Sequence, residues 1–163
     1  MKTETLFSSA SIDWATPQWL FDELDDEFHF TLDVCATPEN AKCKQYFTKQ
    51  DDALAQEWAG VVWCNPPYSR KLTPWVKKAY ESAQSGATVV MLLFARTDTQ
   101  WFHEYIYNKA EIRFIKGRLR FNDYGQNAPA PSMIVVFRGK GGDAHAIQAP
   151  SVPEQGDGFP QKP

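Results

Sequence analysis

The amino-acid sequence predicts an α/β domain whose mostly parallel sheet carries helices on both faces. Apolar, strand-like runs alternate along the chain with segments of helical periodicity, the pattern of strand–helix–strand units with right-handed crossovers. The run ATVVMLLFA (87–95) is almost wholly apolar, as expected of a strand that is covered on both faces. The length of 163 residues suits a single domain.

Three segments have the apolar spacing of helices. In 13–28, leucine and phenylalanine recur every four residues, and we expect Thr16 to cap this helix with Pro17 at its first position. Residues 73–86 repeat the Thr-Pro start and end at a glycine, which commonly terminates a helix. Residues 98–110 form the third predicted helix, with their aromatic side chains packed inward.

Strands are predicted where short apolar runs stop at turn-forming residues. They are expected at 29–36, 46–48, 60–64, 87–95, 111–117 and 132–139. The strand 60–64 stops because Pro66 and Pro67, which cannot donate to a ladder, follow it. The strand 111–117 alternates with period two, so we expect one of its faces to be wet.

The end of the chain differs in composition from the rest. Residues 141–163 hold 4 glycines and 4 prolines and almost no large apolar side chains. Such a segment cannot bury enough apolar surface to fold. We therefore predict a domain over 1–140 and a disordered tail over 141–163.

Several classes of protein are disfavoured by the sequence. No apolar run reaches the ~18 residues of a membrane-spanning helix, and the first ten residues lack the apolar stretch of a secretory signal. The three cysteines form no CxxC pair, which favours reduced thiols and no metal site. We expect a cytoplasmic protein without a membrane partner.

The net charge of −3 conceals two oppositely charged parts. Residues 1–60 contain 12 Asp/Glu and 4 Lys/Arg, whereas residues 61–140 contain 5 and 12. A basic part beside an acidic part suggests a polyanion on one face and a cationic or hydroxyl-rich ligand on the other. The alternative is two solvated surfaces of opposite bias.

The motif NPPY (65–68) follows the predicted strand 60–64. Asn65 offers an amide oxygen, and the carbonyl of Pro66 is held rigidly because Pro67 restricts the residue before it. Two fixed acceptors suit the two N–H donors of an amino group on an aromatic ring, and Tyr68 offers a flat surface for stacking. The alternative is a simple turn in which Asn65 bonds its own backbone.

The chain resembles the phage-type DNA N-6-adenine methyltransferases, the Dam-like family. The resemblance covers residues 12–138 and is carried by DWATPQWLFDELDDEFHFTLDVCATPENAKC, DDALAQEW, WCNPPY, WFHEY and RLRF…APAPSMIVVF. It implies a Rossmann-like domain that transfers a methyl group from S-adenosylmethionine to the N6 amino group of adenine in DNA. The NPPY residues Asn65, Pro66, Pro67 and Tyr68 would then form the catalytic clamp.

The resemblance also implies where S-adenosylmethionine binds. The Thr-Pro segment would lie beside its methionine part, and LDVCA would occupy the place of the first cofactor motif, although the glycine-rich pattern of the wider class is missing there. DDAL would reach the adenine amino group of the cofactor, with Asp52 favoured over Asp51. The implied cofactor residues are Trp14, Thr16, Pro17, Asp33, Ala36 and Asp52. Asp33 as a turn residue and Asp52 in an exposed acidic loop are the structural alternatives.

A target adenine inside a duplex must be swung out of the stack, while the remaining duplex needs cations along its phosphates. The candidates for these contacts are Arg70, Lys71, Lys116, Arg118 and Arg120. The alternative is that these charges only solubilise the surface. The chain is too short for a separate recognition domain, so sequence readout must come from loops or from a second copy.

Other functions remain open at this level. The same clamp would hold cytosine N4, an RNA base or a protein glutamine, and a DNA-binding module without catalysis would share the basic part. The sequence gives no recognition site, and it leaves open a monomer or a homodimer. It also leaves open a protective, regulatory or restriction-system role, in a bacterial host or encoded by a phage or prophage.

Overall fold

The structure is a computed structural model that describes residues 15–68, 71–121 and 127–139, and every structural statement below concerns these residues. The predictions for Trp14, Arg70 and the tail 141–163 fall outside them. The boundary predicted at residue 140 is likewise not described.

A six-stranded sheet forms the centre of the domain. Its strands are β1 (Leu32–Asp33), β2 (Gln45–Tyr46), β3 (Val61–Cys64), β4 (Thr88–Phe94), β5 (Glu111–Phe114) and β6 (Ser132–Phe137). Their order is β2-β1-β3-β4-β6-β5. The first four strands in this order pair in parallel, and β6 is antiparallel to both β4 and β5, so β6 alone among these strands is reversed. The predicted α/β class with a mostly parallel sheet is confirmed.

Helices cover both faces of the sheet, as expected. The helix α1 (Gln18–Phe28) packs on one face, and α2 (Thr73–Gln84) packs on the other together with the π-helical segment Phe102–Ile106. Alternate side chains of β4 enter the two clusters, which explains why this strand is apolar throughout. None of the described helices is long and apolar enough to cross a membrane.

The helix starts differ from the expected caps. Pro17 is the N-cap of α1 and no side chain caps this helix, so the expectation that Thr16 caps it is wrong. The Thr16 hydroxyl instead accepts a hydrogen bond from Asn65. Likewise α2 begins at Thr73 itself, after Leu72. The hydrogen bond with Asn65 thus replaces the expected capping contact of Thr16. The helix-capping pattern considers only neighbouring residues and cannot predict such a partner.

Two elements are shorter than predicted. The strand expected over 29–36 is regular only at β1, although backbone N–H groups of Thr31, Val34 and Ala36 still donate to the neighbouring segments. The helix expected over 98–110 contains a π-helical segment, which is closed where the N–H of Tyr107 reaches the carbonyl of Phe102.

The sequence predicted that one face of β5 is exposed to solvent. For the charged side chains Glu111 and Arg113 this prediction is wrong. Arg113 exposes only 11% of its side chain and Glu111 only 7%, whereas Phe114 on the other side of the strand is 48% exposed. The period-two pattern was correct, but the charged side of the strand is the covered one. The reason is an ion-pair network that buries these charges.

The network joins α1 to β5 and to the residue after β6. The guanidinium of Arg113 binds both carboxylate oxygens of Glu27 and, through Nε, one oxygen of Glu111 at 2.7 Å. Arg138 binds the other Glu111 oxygen at 2.8 Å. Both guanidinium groups lie over the ring of Phe28, at 5.3 and 5.6 Å from its centroid. The end of α1 is therefore attached to the sheet by charge and by cation–π contacts.

The parallel strands bring three connecting segments to one edge of the sheet. Asp33 pairs with Trp63, and Cys64 pairs with Met91, so β1 and β3 end at nearly the same level, while β4 continues beyond them to Phe94. The segments that follow begin at residues 34, 65 and 95. Ligands of open α/β sheets bind at this carboxyl edge.

We predict that Arg113→Met destabilises the domain by about 2–3 kcal/mol, the cost of removing charge-assisted hydrogen bonds from a buried carboxylate. Urea denaturation monitored by circular dichroism measures this loss. The matched control is Lys77→Met, which removes an exposed pair with Glu81 on α2 and should cost about 0.3–0.5 kcal/mol. Equal losses in the two variants would contradict a structural role for the network.

The same network predicts a pH dependence. The hydrogen bond from Arg113 lowers the pKa of Glu27 in the folded state below its usual 4.5. This stabilisation is present above the unfolded pKa and is lost as the pH falls through the folded pKa. The stability gap between wild type and Arg113→Met should therefore narrow in acid. A gap that stays constant down to about pH 3 would contradict this linkage.

Candidate active site

The NPPY segment begins where β3 leaves the ladder. Cys64 is fully buried at the end of the strand, and Asn65 is the first residue beyond it. Pro66 is buried and Pro67 is exposed. Because neither proline has a backbone N–H, the strand cannot continue, and the Asn65 side chain is left at the carboxyl edge.

The amide of Asn65 is held by the segment that leads into α1. Its Nδ2 donates to Thr16 Oγ1 at 3.0 Å, across 49 residues of sequence. Thr16 is 7% exposed, and the amide oxygen Oδ1 is shielded from solvent. Since Nδ2 and Oδ1 lie on opposite sides of the amide carbon, this hydrogen bond determines which way the oxygen points. Thr16 and Asn65, both predicted as site residues, are thus brought together.

The ring of Tyr68 is fixed from two directions. It stacks on Phe94 with centroids 4.3 Å apart at 25°, and it meets the edge of Phe121 at 6.1 Å. Its hydroxyl donates to the carbonyl of Leu92 at 2.9 Å. Burial raises the pKa of the phenol well above its usual range, so the hydroxyl remains a donor. Phe94 packs against one face of the ring, and the stacking of a base on Tyr68 remains a prediction.

Asp33 ends β1 and is 2% exposed. Its carboxylate accepts the backbone N–H groups of Cys35 at 3.2 Å and Lys42 at 3.0 Å, which fold the connecting loop over the strand end. Burial raises the pKa of the carboxyl to about 6, against the opposing effect of these hydrogen bonds. Asp33 therefore stabilises the turn that follows β1. Its contact with the cofactor, which the resemblance implies, remains a prediction. Ala36 is buried in the same loop.

The two acidic residues 51 and 52 differ in their contacts. The carboxylate of Asp51 accepts from the backbone N–H of Thr48 at 2.7 Å and from its hydroxyl at 2.9 Å, a capping box. Asp52 is exposed and has a left-handed backbone with φ of 52°. Asp51 is therefore used by the fold, and Asp52 remains the predicted cofactor contact of the two.

Comparisons with known proteins agree with the motif. A family model described as DNA N-6-adenine-methyltransferase (Dam) matches residues 3–155. The chain belongs to this family. The DNA N-6-adenine-methyltransferase of Haemophilus phage HP1 (strain HP1c1) is 38% identical over 137 residues, which cover 78% of this chain and 79% of the relative. The enzyme of the same name from Escherichia phage T1 is 32% identical over 134 residues, and the match covers 80% of this chain but only 56% of that relative.

The resemblance predicted from the motifs is confirmed by these matches. So is the predicted enzyme class, a methyltransferase that acts on the N6 amino group of adenine in DNA. The comparisons do not test individual residues, and the roles given to them remain predictions. No cluster of three or more His, Cys, Asp or Glu suited to a metal ion occurs in the described parts of the chain.

The predicted DNA-contacting residues of this Dam-family chain have unequal surroundings. Lys71, Lys116 and Arg118 are exposed, and Arg120 is half-buried. Arg118 donates to the carbonyl of Ala128 at 3.3 Å, and Arg120 forms an isolated antiparallel bridge with Asn127. These two arginines therefore help to shape the segment that packs on the same face as α1. Their DNA contacts stay a prediction.

The cysteines lie near the site but are not reactive groups. Cys35, Cys43 and Cys64 are free thiols. Burial raises the pKa of Cys35 and of Cys43 to about 12, and it raises that of Cys64 as well. The thiols therefore remain protonated, and thiolate chemistry has no support here.

Arg96 is a basic residue at this edge that the sequence analysis did not single out. It is exposed, follows β4, and its Cζ lies 5.7 Å from the ring centroid of Phe94. One signal was available, because Arg96 follows the most apolar strand just as the NPPY segment follows β3. The predicted DNA contacts were confined to basic residues that follow the motif and to 116–120.

We predict that Tyr68→Phe keeps methyl transfer but lowers the free energy of unfolding by about 1–2 kcal/mol, because the carbonyl of Leu92 loses its hydroxyl donor. Tyr68→Leu removes the stacking surface and should lower activity strongly at similar stability. Denaturant titration and incorporation of a tritiated methyl group into DNA measure the two effects. Activity losses of the same size in both variants would contradict the stacking role of the ring.

Proposed function

We propose that this chain transfers a methyl group from S-adenosylmethionine to adenine N6 in double-stranded DNA, with the target base swung out to the carboxyl edge of the sheet. The observation that carries the proposal is the arrangement of Asn65 at the end of β3, where its amide nitrogen is bound by Thr16. In this orientation the amide oxygen, an acceptor, is presented away from Thr16.

The clamp acts on the nitrogen of the base. The lone pair of an aromatic amino group is drawn into the ring, which makes the nitrogen a poor nucleophile. Asn65 Oδ1 and the carbonyl of Pro66 would each accept one N–H from this group. Acceptors outside the ring plane favour a tetrahedral nitrogen, whose lone pair then points at the methyl donor. The ring of Tyr68 would hold the base by stacking.

Thr16 would act as a positioning residue for this clamp. A reversed Asn65 amide would direct its NH2 group at the amino group of adenine, so that two donors would face each other. The hydrogen bond from Nδ2 to Thr16 Oγ1 favours the productive orientation before the base arrives. Preorganisation of this kind avoids reorganisation during the reaction.

S-adenosylmethionine supplies an activated methyl group on a positively charged sulfur. The described residues assigned to the cofactor are Thr16, Pro17, Asp33, Ala36 and Asp52, of which Asp33 ends β1 and Ala36 lies in the loop that follows. Buried Asp33 and exposed Asp52 offer carboxylates for an ammonium or for hydroxyl groups, and the small side chain of Ala36 permits close approach to the backbone. The chemistry of these donors fits a cationic ligand with a sugar.

The DNA would lie against the basic side chains Lys71, Lys116, Arg118 and Arg120. Phosphate contacts of this type would hold the duplex while the target adenine leaves the stack. Since two relatives are phage enzymes, the expected place of action is the cytoplasm of a bacterial host. The chain would act as a monomer or as a homodimer.

The proposal is tested by Asn65→Ala. Methyl transfer to unmethylated genomic DNA should fall by roughly 10²–10³ or more, the cost of losing one preorganised partner. Binding of S-adenosylhomocysteine in calorimetry should stay unchanged, because Asn65 is assigned to the base. Nucleoside mass spectrometry must identify the wild-type product as N6-methyladenine.

The matched control is Asn108→Gly, which removes an amide at an exposed position away from the site where the backbone φ of 59° suits glycine. It should keep wild-type activity. Activity of Asn65→Ala close to that of this control would refute the clamp. A product other than N6-methyladenine would refute the proposed reaction.

We also predict that affinity for S-adenosylmethionine falls as the pH drops through about 6, the raised pKa of Asp33. An ionised Asp33 attracts the ammonium, so binding is favoured above this pKa and is weakened below it, where the carboxyl is neutral. Calorimetry between about pH 5 and pH 7.5 measures the trend. Asp33→Asn should bind more weakly and without this trend, and a flat wild-type profile would place the cofactor's ammonium elsewhere.

A further inference from the structure

Arg96 projects from a well-fixed turn at the carboxyl edge. The neighbouring Ala95 donates its backbone N–H to the carbonyl of Pro131 at 2.8 Å. The carbonyl of Arg96 accepts from both the backbone N–H and the hydroxyl of Thr99, at 3.3 and 2.8 Å. The backbone is thus held on both sides while the side chain remains exposed.

The guanidinium of Arg96 is placed beside the aromatic part of the clamp. Its Cζ lies 5.7 Å from the centroid of Phe94, the ring on which Tyr68 stacks. A cation over an aromatic ring is attracted to it, which limits the positions that the long side chain samples. The charge is therefore kept close to Phe94, on the same face as the segment that carries Arg118 and Arg120.

Among the described residues, the charge of Arg96 has no structural contact apart from the ring of Phe94. Arg113 and Arg138 are also basic residues of this part of the chain, and both bind glutamates in the network described above. The guanidinium of Arg96, by contrast, forms no ion pair or hydrogen bond with the described residues, and the nearby Asp98 is exposed. An exposed arginine held in place without a carboxylate is suited to an anionic ligand.

The order of the strands indicates which anion this is. At the carboxyl edge, β3 with Asn65 lies between β1 with Asp33 and β4 with Arg96. Neighbouring strands are about 4.8 Å apart, so β1 and β4 lie about 10 Å apart across the sheet. Because β4 continues past Met91 to Phe94, Arg96 also lies further along the strand direction than Asp33 does. With the methyl donor at β1, Arg96 lies on the opposite side of the clamp, where the DNA strand must enter.

We propose that Arg96 binds a backbone phosphate of the DNA strand that carries the target adenine. The proposal rests on the proposed function, since it assumes that the flipped base occupies the space between Asn65 and Tyr68. The planar guanidinium matches two phosphate oxygens, and the contact would anchor the strand next to the extruded base. Arg96 would thereby add to the basic residues already assigned to the duplex.

The test compares Arg96→Gln with Arg96→Lys. Gln keeps a polar side chain without charge, and Lys keeps the charge without the planar fork. Binding to a fluorescent unmethylated duplex, with S-adenosylhomocysteine present, is measured by anisotropy between about 50 and 200 mM salt. Arg96→Gln should flatten the slope of log affinity against log salt by about 0.9, the value for one phosphate contact, whereas Arg96→Lys should keep it.

The matched control is Lys78→Gln. Lys78 lines a groove with Gly60 and Gly86 at the opposite edge of the sheet, so its loss should leave the slope unchanged. The melting temperature of each variant is measured to show that the fold is retained. In the methylation assay, Arg96→Gln should raise KM for DNA several-fold more than it lowers kcat.

Two results would overturn the proposal. An unchanged salt slope with weaker binding of S-adenosylhomocysteine would mean that Arg96 contacts the carboxylate of the cofactor. Unchanged slope and unchanged cofactor affinity would mean that Arg96 is only a surface charge. Failure of the proposed function is distinguished by the product of the wild-type enzyme. In that case the wild-type enzyme would yield no N6-methyladenine, whatever the slopes of log affinity against log salt for the Arg96 variants.

Discussion

The parallel pairing of β1, β3 and β4 is the constraint on which the site depends. Strands that run in the same direction end at the same edge, so residues far apart in sequence emerge there in a row. Asp33, Asn65 and Arg96 are each found just at or beyond a strand end. A slip of one residue in β3 would move Asn65 to the other face of the sheet and separate it from Thr16. The buried, alternating side chains of β3 and β4 prevent that slip.

The proposed chemistry requires rigid acceptors, and the fold supplies rigidity from several directions. Thr16, ahead of α1, holds the amide of Asn65, while Leu92 and Phe94 of β4 hold the hydroxyl and the ring of Tyr68. None of these contacts lies within the motif. In the proposed mechanism the four residues of NPPY would provide the reacting surface, but its orientation comes from the elements on either side. This division is expected wherever catalysis relies on preorganised dipoles rather than on a strong base.

The charged residues of the acidic and basic parts of the chain fall into two groups. Some of the opposite charges neutralise each other in the fold: Glu27 of the acidic part binds Arg113 of the basic part, and Arg138 binds Glu111. These arginines cannot also serve a polyanion. The charges of Asp33, Asp52 and Arg96 take no part in this network, and they are the ones that the proposals assign to a cationic donor and an anionic strand. Only the second group of charges supports the interpretation that the two oppositely charged parts of the chain bind two different ligands.

The sequence by itself determined the α/β class, the strand that precedes the clamp and the family, because each follows from local patterns: alternating periodicities, prolines that stop a ladder and a rare motif. Tertiary structure alone decided which contacts Thr16 and Arg113 make. Thr16 was expected to cap a helix, but its hydroxyl accepts a hydrogen bond from Asn65, 49 residues away. Arg113 was expected to be exposed to solvent, but it binds Glu27. In each case a contact between distant segments outweighs the local preference, and no local pattern contains the identity of a distant partner.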